Sequence, residues 1–160
     1  MNLYMKQKLF SWGDKFSIYD EAGNPRYYVE GEIFTWGRKL HLYDLSNREL
    51  AFIQQEVLTF LPKYYIFRGG QKMAEVVKEF TFFKQEYSVN GLGWKVRGNF
   101  FAHEYEIYNS ARPLACVSKE WFTLGDAYQI SISPQVDEVT LLSIVLVIDG
   151  CIDDMNNNNN

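Results

Sequence analysis

Short segments in which apolar and polar residues alternate follow one another along most of the chain. The segment "KFSIYD" alternates and runs into "EAGNPR", whose Gly, Asn and Pro are typical of a turn. The same rhythm continues through "KLHLYD", "KYYIF", "HEYEIYN" and "AYQISIS". This pattern predicts about a dozen β-strands. Because no connection between them holds a convincing helix, it favours an antiparallel meander over βαβ units.

Two parts of the chain resemble each other. Residues 29–67 align with residues 96–132, so that Gly31 falls on Gly98, Phe34 on Phe101, and Leu42-Tyr43 on Ile107-Tyr108. Halves of this kind are expected to supply two parts of one closed barrel. Convergence is the alternative, because any two runs of alternating strands and turns align in part.

The alternation breaks in the segment "VDEVTLLSIVLVIDGCIDD", residues 136–154. A membrane-spanning helix needs about 20 predominantly apolar residues. Here Asp137, Glu138 and Asp149 bracket the apolar part too closely, so we do not expect a membrane anchor.

Either a strand or a helix is compatible with the composition of this segment. Its β-branched residues favour a strand. However, period 2 is absent from "LLSIVLVI", and Ser133, Pro134 and Gly150 fit an N-cap, a first helical position and a C-terminal cap. We therefore favour a helix. Because it is apolar on nearly every side, it must be buried on every side. The prediction is a mainly β fold, a closed antiparallel barrel of about twelve strands wrapped around a central hydrophobic C-terminal α-helix.

Composition adds domain organisation and limits the partners. A chain of 160 residues suits a single domain, which we expect to cover residues 1–153, followed by a disordered Asn-rich tail at 154–160. The net charge of −4 argues against a nucleic-acid partner and against a general attraction to anionic surfaces. The N-terminal residues contain no signal-peptide pattern, so a cytoplasmic location is expected.

Several motifs together resemble a known family. They are "YMKQKLFSWGDKFSIYDEAGNPRYYVEGEIFTWGRKLHLYD", "ELAFIQQEVLTFLPKYYI", "VRGNFFAHEYEIYN", "ACVSKEWFTLGDAYQI" and "LLSIVLVID". In this order they resemble the LURP-one-related family of the tubby C-terminal-like superfamily, and most of all its bacterial YxjI-type members. The resemblance covers residues 3 to about 152. It implies the same twelve-stranded barrel around a central helix. Phospholipid scramblases and tubby proteins are similar in fold, and tubby domains bind phosphoinositides, but no tubby lipid-binding motif matches this chain.

Candidates for catalysis or metal binding are few. His41 lies between Leu40 and Leu42, which predicts an exposed strand position, and no close set of ligands surrounds it or His103. Cys116 and Cys151 are interpreted as buried free thiols, with a disulfide between them as the alternative. We expect no metal and no cofactor.

The segment "SKEWFTLGDAY" is dense in polar and aromatic residues. Lys119 and Asp126 can pair across a hairpin there, or Glu120 and Asp126 can act as an acid and a base. A purely structural strand-turn-strand corner is the favoured interpretation.

Basic residues provide the only candidate ligand-binding site. Lys63 and Arg68 bound one predicted strand, and Lys72 begins the next. Convergence of these residues at a barrel rim would suit phosphate or lipid headgroups, although a solvated strand edge is the favoured interpretation. The full candidate set is Arg38, Lys39, Lys63, Arg68 and Lys72.

These observations predict a non-enzymatic binding or scaffold domain that contacts anionic phospholipid headgroups or a protein partner through its outer surface. A small-ligand carrier barrel is the alternative, and an uncharacterised hydrolase that uses Glu120 and Asp126 is a weaker one.

Overall fold

The computed structural model describes residues 1–6, 15–122 and 125–160, and the side chains of residues 120–126 lie outside the described part. The described residues form twelve strands, one 3₁₀ turn and one α-helix. Their bounds are β1 Asn2–Lys6, β2 Lys15–Tyr19, β3 Pro25–Gly31, β4 Lys39–Asp44, β5 Glu49–Gln55, β6 Lys63–Arg68, β7 Gln71–Lys78, β8 Glu86–Asn90, β9 Trp94–Asn99, η1 Phe100–Ala102, β10 Glu104–Asn109, β11 Arg112–Phe122, β12 Gly125–Ile132 and α1 Glu138–Asn158.

The strands form a closed antiparallel barrel. Each strand pairs with its neighbours in the chain, and β1 pairs with β12 to close the ring, with Leu3 opposite Ile130. Closure gives every strand two partners and leaves no exposed sheet edge. The predicted meander and the predicted closed barrel are confirmed.

The up-and-down topology gives the barrel two different ends. At one, here called the turn end, strands are joined by short connections such as Gly69-Gly70, where both residues have positive φ. At the other, here called the loop end, the described connections are longer and cover residues 32–38, 56–62, 79–85 and 100–103. Any feature carried by alternate connections is therefore gathered at one end.

Helix α1 fills the lumen. Strand β12 runs from the loop end to the turn end, so α1 begins at the turn end and runs back toward the loop end. Its residues from Val139 to Ile148 are all buried, and they form one cluster with inward-facing strand residues such as Leu42, Ile53 and Ile66. The predicted central helix is confirmed. Within the described residues, no helix has the length and apolarity required to span a bilayer.

Ion pairs fix the start of α1 at the turn end. Arg26 donates two hydrogen bonds to the Glu138 carboxylate, at 3.0 and 3.1 Å, and the Tyr27 hydroxyl donates a third at 2.7 Å. Arg68 pairs with Asp137 at 2.8 Å. Acids in the first turn are also favoured by the helix dipole.

The helix ends differ from the sequence prediction. The N-cap is Asp137, whose Oδ1 accepts a hydrogen bond from the Thr140 amide at 2.7 Å, whereas the Ser133 hydroxyl donates to the Pro113 carbonyl. Asp is as good an N-cap as Ser, and here it also meets Arg68. The N-cap assigned to Ser133 is therefore wrong.

Gly150 is not a C-terminal cap but an interior helix residue. A Cβ atom at this position would lie 3.1 Å from the Tyr64 hydroxyl and 3.2 Å from Cδ of Arg38. The glycine thus lets two large side chains of the wall approach the helix backbone. The helix continues to Asn158, past residue 153, and the division of the chain at that residue stays a prediction.

The internal similarity maps onto equivalent strands. Residues 29–67 run from the end of β3 through β6, and residues 96–132 run from within β9 through β12, six strands further around the ring. A register shift occurs between Leu42 and Tyr43 in one half and between Ile107 and Tyr108 in the other, and these two pairs are superimposed by the alignment. Because register shifts also occur at Ile18/Tyr19 and Ile66/Phe67, they do not distinguish repetition from convergence.

We expect Val145→Asp to prevent folding, because this α1 side chain is 1% exposed and would bury an unpaired charge at a cost above about 3 kcal/mol. Val145→Ala, which only leaves a cavity, is expected to lower the free energy of unfolding by roughly 2 kcal/mol. Thermal and urea unfolding check both variants. A folded Val145→Asp protein with an unchanged Tm would contradict the position of α1 inside the barrel.

Candidate functional site

Exposed apolar side chains are concentrated at the loop end. Twelve large hydrophobic residues of the described chain are exposed, and ten of them lie in the connections at this end. The other two, Met1 and Leu45, lie at the turn end. We call the ten residues the crown: Ile33, Phe34, Trp36, Val57, Leu58, Phe60, Phe80, Phe82, Phe83 and Phe101. Exposed apolar groups gathered in this way mark an interaction surface.

Backbone strain holds two crown side chains outward. Phe34 and Leu58 are 98% and 97% exposed, and both have left-handed backbone conformations, with φ of 57° and 61°. Such conformations are unfavourable for bulky residues and cluster at functional positions. Nothing in the barrel is gained by exposing these two side chains, so the strain points to a role outside the fold.

Aromatic contacts order the other two crown loops, within the loop in one case and with a buried residue of the barrel in the other. Phe80 and Phe82 contact edge to face, with ring centroids 5.2 Å apart. Phe101 projects from η1, where the preceding Phe100 is fully buried and packs edge to face on Tyr87 at 5.0 Å. One aromatic residue thus fixes the loop while its neighbour is presented outward.

A cavity of about 810 Å³ adjoins the crown on the outer wall, and we call it the rim cavity. Its upper lining includes the crown residues Phe34 and Trp36, and its floor lies across β4, β5 and β6. Lys39, Gln54 and Tyr65 form one row of this floor, since Lys39 is in register with Gln54, and Gln54 with Tyr65. It is open to solvent along the wall and not enclosed.

Arg38, the first of the five basic candidates, is a buried structural residue. It is 3% exposed, and its Nη2 contacts Asp153 at 3.0 Å and Asp154 at 2.7 Å near the end of α1. Burial opposes the charge, but the Tyr64 hydroxyl and the two carboxylates hold the pKa of Arg38 above its ordinary value. Arg38 therefore fixes the helix at the loop end.

The remaining four basic candidates are paired with acids. Lys63 Nζ lies 3.1 Å from both Glu56 and Glu75, and hydrogen bonds to these two carboxylates raise its pKa. Further pairs are Lys39 with Glu32 at 3.8 Å, Arg68 with Asp137 at 2.8 Å and Lys72 with Glu75 at 3.9 Å.

The structure does not bring the five basic residues together. Lys63 begins β6 at the loop end and Arg68 ends it at the turn end, so the two lie at opposite ends of the barrel. Asp137 and Asp153, the partners of Arg68 and Arg38, are about 24 Å apart along α1. Convergence of all five at one rim, the less favoured interpretation, does not occur, because Lys63 and Arg68 bound one strand and lie at its opposite ends. A ligand-binding role for these residues individually stays a prediction.

The two histidines differ in their surroundings. His41 lies on the outer wall with 19% of its side chain exposed, and its ring nitrogens contact Glu49 at 2.6 Å and Glu32 at 2.7 Å. Partial burial opposes the charge, but these two carboxylates raise the pKa of His41 above 6.5. His103 stacks on the Tyr128 ring at 4.4 Å, and burial, assisted by Lys119, lowers its pKa.

A buried acid lies beside His103. The carboxylate of Asp149 is 3.9 Å from its Nε2. Burial, assisted by the neighbouring Asp153, raises the pKa of Asp149 to about 7. Burial thus favours the neutral form of both groups and opposes an ion pair between them.

Both cysteines are free thiols, so the alternative of a disulfide is wrong. Cys151 is buried as predicted, and burial raises its pKa to about 12. The predicted burial of Cys116 is wrong: the residue is exposed, because its neighbours Ala115 and Val117 face the core and the strand alternation turns it outward. Partial burial and, to a lesser extent, the negative charges of Glu106 and Glu104 raise the pKa of Cys116 as well. The raised pKa values disfavour a reactive thiolate at either position.

The segment around Trp121 forms the expected hairpin, in which β11 pairs with β12 and Phe122 lies opposite Gly125. The proposed pairs of Asp126 with Lys119 or Glu120 depend on side chains outside the described residues. In the rest of the described chain, no group of three or more His, Cys, Asp and Glu side chains has a metal-binding arrangement.

The crown and the rim cavity were missed by the sequence reasoning. Four connections, "EIFTWGR", "EVLTFLP", "EFTFFKQ" and "FFAH", are rich in aromatic and aliphatic residues, whereas those between them in the chain, "LSNR", "GG" and "GLG", contain at most one leucine each. In an up-and-down barrel, alternate connections share an end. Comparing odd with even connections would therefore have revealed the crown.

We expect Arg38→Met to lower the free energy of unfolding by roughly 2–4 kcal/mol, because it removes the partner of two carboxylates at the end of α1. Arg48→Met, which removes an ion pair with Asp44 from an arginine whose side chain is 77% exposed, is the matched control and is expected to cost less than about 1 kcal/mol. Chemical denaturation measures both. Equal effects of the two variants would contradict the structural role of Arg38.

A titration followed by NMR of the imidazole protons is expected to give a pKa above 6.5 for His41 and below 6.5 for His103. The raised pKa means that His41 stabilises the fold fully below about pH 6.5, and this contribution is lost as the pH rises through the folded-state pKa. The lowered pKa of His103 acts in the opposite direction, with stability lost as the pH falls through its folded-state value. Glu49→Gln is expected to lower the pKa of His41 and leave that of His103 unchanged. Equal values for the two histidines would contradict the assigned contacts.

Comparison with known proteins agrees with this architecture. A structure search finds a crystal structure of a protein from Arabidopsis thaliana with a TM-score of 0.67 and 18% sequence identity, covering 93% of this chain and 89% of that chain. At this identity the likeness shows the fold alone.

Sequence comparison identifies the family. The chain is 35% identical over 149 residues to the uncharacterized protein YxjI of Bacillus subtilis strain 168. The alignment covers 93% of this chain and 92% of YxjI. The family model described as LURP-one-related matches residues 1–149. The chain, a closed twelve-stranded barrel filled by its C-terminal helix, therefore belongs to the LURP-one-related family.

Proposed function

We propose that this protein is a non-enzymatic membrane-binding module that docks on a lipid bilayer through its crown. The observation that carries the proposal is the position of ten of the twelve exposed large hydrophobic residues at one end of the barrel. Their number and the strained backbone of Phe34 and Leu58 support a binding role.

The shape of the crown favours a bilayer over a protein partner. Its most exposed side chains, such as Phe34, Leu58 and Phe83, project from three different loops. A protein partner would need a separate complementary pocket for each projection. The fluid interfacial region of a bilayer adapts to separate projections, and it favours amphipathic rings such as that of Trp36.

The magnitude of the apolar contribution fits reversible binding. Transfer of an exposed Phe or Leu side chain out of water is worth about 1.5 kcal/mol or more. Four side chains more than 90% exposed, Phe34, Leu58, Phe60 and Phe83, therefore supply about 6 kcal/mol. This is comparable to the marginal, reversible anchoring that a single acyl chain provides.

Charge contributes little to this docking mode. The net charge is −4, and Lys39 and Lys63, which lie near the loop end, are each paired with glutamates. We therefore propose that partition of apolar groups, rather than attraction to anionic headgroups, drives the binding, and that it depends only weakly on salt.

The non-enzymatic part of the proposal is supported by the state of the reactive side chains. The thiols of Cys116 and Cys151 have raised pKa values, which disfavour nucleophilic attack. Both ring nitrogens of His41 contact carboxylates, Glu49 at 2.6 Å and Glu32 at 2.7 Å, so neither is turned toward a substrate as a general base.

The test is sedimentation with phosphatidylcholine vesicles. We expect the double variant Phe82→Ser/Phe83→Ser to lower the partition coefficient at least about tenfold, since it removes two apolar groups of the crown. Leu45→Ser is the matched control, because Leu45 is an exposed apolar residue at the turn end, and its partition is expected to equal that of the wild type.

Two results would refute the proposal. One is the absence of vesicle binding by the wild type at any salt concentration. The other is equal binding by the wild type and the crown variant. A fall in binding of more than about tenfold when salt is raised to physiological strength would instead indicate an electrostatic mechanism.

A further inference from the structure

The far end of α1 leaves the barrel at the loop end. Asp154 accepts a hydrogen bond from Gln55, the last residue of β5, at 3.4 Å. The next helix residue, Met155, contacts through its sulfur the Nζ of Lys78, the last residue of β7, at 3.6 Å. These contacts place residues 154–155 at about the level where the strands end. The helix continues to Asn158, so its last three residues rise about 4.5 Å beyond that level.

The crown loops stand around this helix end. The four connections that carry the crown follow β3, β5, β7 and β9, so together they form an arc around the ring from β3 to β10. The helix contacts residues at the bases of three of them. Arg38 ends the first connection and pairs with two aspartates of α1, Lys78 precedes the third, and His103 ends the fourth, 3.9 Å from Asp149. The helix end therefore lies within the arc of the crown.

The position of the helix end is fixed relative to the crown. Arg38 is 3% exposed and contacts Asp153 at 3.0 Å and Asp154 at 2.7 Å. Met155 is half-buried and packs against the core of the barrel. Because the wall holds the helix up to Met155, the residues beyond it cannot retract into the lumen when the crown meets another surface.

What the helix presents between the crown loops is polar. All residues from Asn156 to Asn160 are exposed. The last four carbonyl groups of an α-helix have no partner within the helix, and in α1 these belong to residues 155–158. Within the part of the chain that the structure describes, no backbone amide of another element donates to them. These carbonyls and the asparagine side chains therefore need water or other polar groups around them.

A polar centre limits how far a ring of apolar side chains can enter a bilayer. The hydrocarbon region offers no donor to the free carbonyls, so their entry is unfavourable. The interfacial region contains water and headgroups that satisfy them. Apolar tips such as Phe34 and Phe83 gain from deeper entry only until the helix end reaches the hydrocarbon boundary.

We propose that the end of α1, Asn156–Asn158, is a stop that sets how deep the crown enters a bilayer. The helix end stays hydrated among the headgroups, and the apolar tips around it reach only the boundary between headgroups and acyl chains. The helix axis then points toward the membrane, and the turn end faces away from it. This inference names the control of depth in the proposed docking and rests on that function. It also accounts for docking that stays reversible despite ten exposed apolar residues.

The experiment compares three lengths of the helix end. A short variant lacks Asn156–Asn160 but keeps the two aspartates that bind Arg38, so its Tm is expected to equal that of the wild type. A long variant carries four alanines between Asn156 and Asn157. Alanine is the best helix former, and four residues extend a helix by about 6 Å.

Depth is measured with a nitroxide label at Phe83→Cys in a Cys116→Ser protein, since Phe83 is 98% exposed and Cys151 is buried. Electron spin resonance with oxygen and a water-soluble nickel complex reports the depth in phosphatidylcholine vesicles. We expect the label to lie deeper in the short variant than in the full chain, with a partition coefficient at least about threefold higher, because more apolar surface leaves water.

The long variant is expected to behave in the opposite way. Its label lies closer to the water, and its partition coefficient falls at least about threefold, because the hydrated helix end meets the hydrocarbon boundary earlier. Alanine is apolar, so a simple gain of apolar surface would instead strengthen the binding. Four alanines placed before Met1, at the turn end, are the matched control and are expected to change neither depth nor partition.

The outcomes separate this inference from the function on which it rests. Vesicle binding with the label at one depth in all three proteins would overturn the stop and leave the membrane function standing. Stronger binding or deeper entry of the long variant would also overturn the stop. The absence of vesicle binding by the wild type would overturn both proposals.

Discussion

The burial of α1 inside the closed barrel is the constraint on which the rest of the structure depends. A helix apolar on nearly every side is stable only where apolar surface surrounds it completely, and twelve strands joined into a ring provide such a surface. The barrel in turn needs the helix, because the inward side chains of so wide a ring would otherwise enclose a void. Neither element is expected to be stable without the other.

Filling the lumen directs binding to the ends and the outer wall. The helix is fixed at the turn end through Glu138 and Asp137 and at the loop end through Asp153 and Asp154. The mutual dependence of barrel and helix makes the wall a rigid support for the long connections above it. Apolar side chains that would be a liability elsewhere are thus held in fixed positions at one end, together with the adjoining cavity.

Basic residues, which first suggested a lipid site, have other roles in the folded protein. Arg38 is buried against α1, and Arg68 fixes the opposite end of the same helix. Of the five, only Lys39 lines the rim cavity, and it is paired with Glu32 at 3.8 Å. The proposed affinity for membranes therefore depends on exposed apolar side chains.

The sequence by itself determined the strands, the closed barrel and the central helix, because alternation and a run that is apolar on every side are local signals of burial. The family followed separately, from the resemblance of several motifs in order. The sequence also indicated which positions contain aromatic residues in loops. It did not determine the N-cap at Asp137, since Ser133 and Asp137 are equally good caps and only the contact of Asp137 with Arg68 distinguishes them. Nor did it determine the interior position of Gly150, which depends on the approach of Arg38 and Tyr64 to the helix backbone. The crown and the rim cavity were decided by tertiary structure alone. Their residues are far apart in the chain, and only the up-and-down closure of the barrel brings alternate connections to one end.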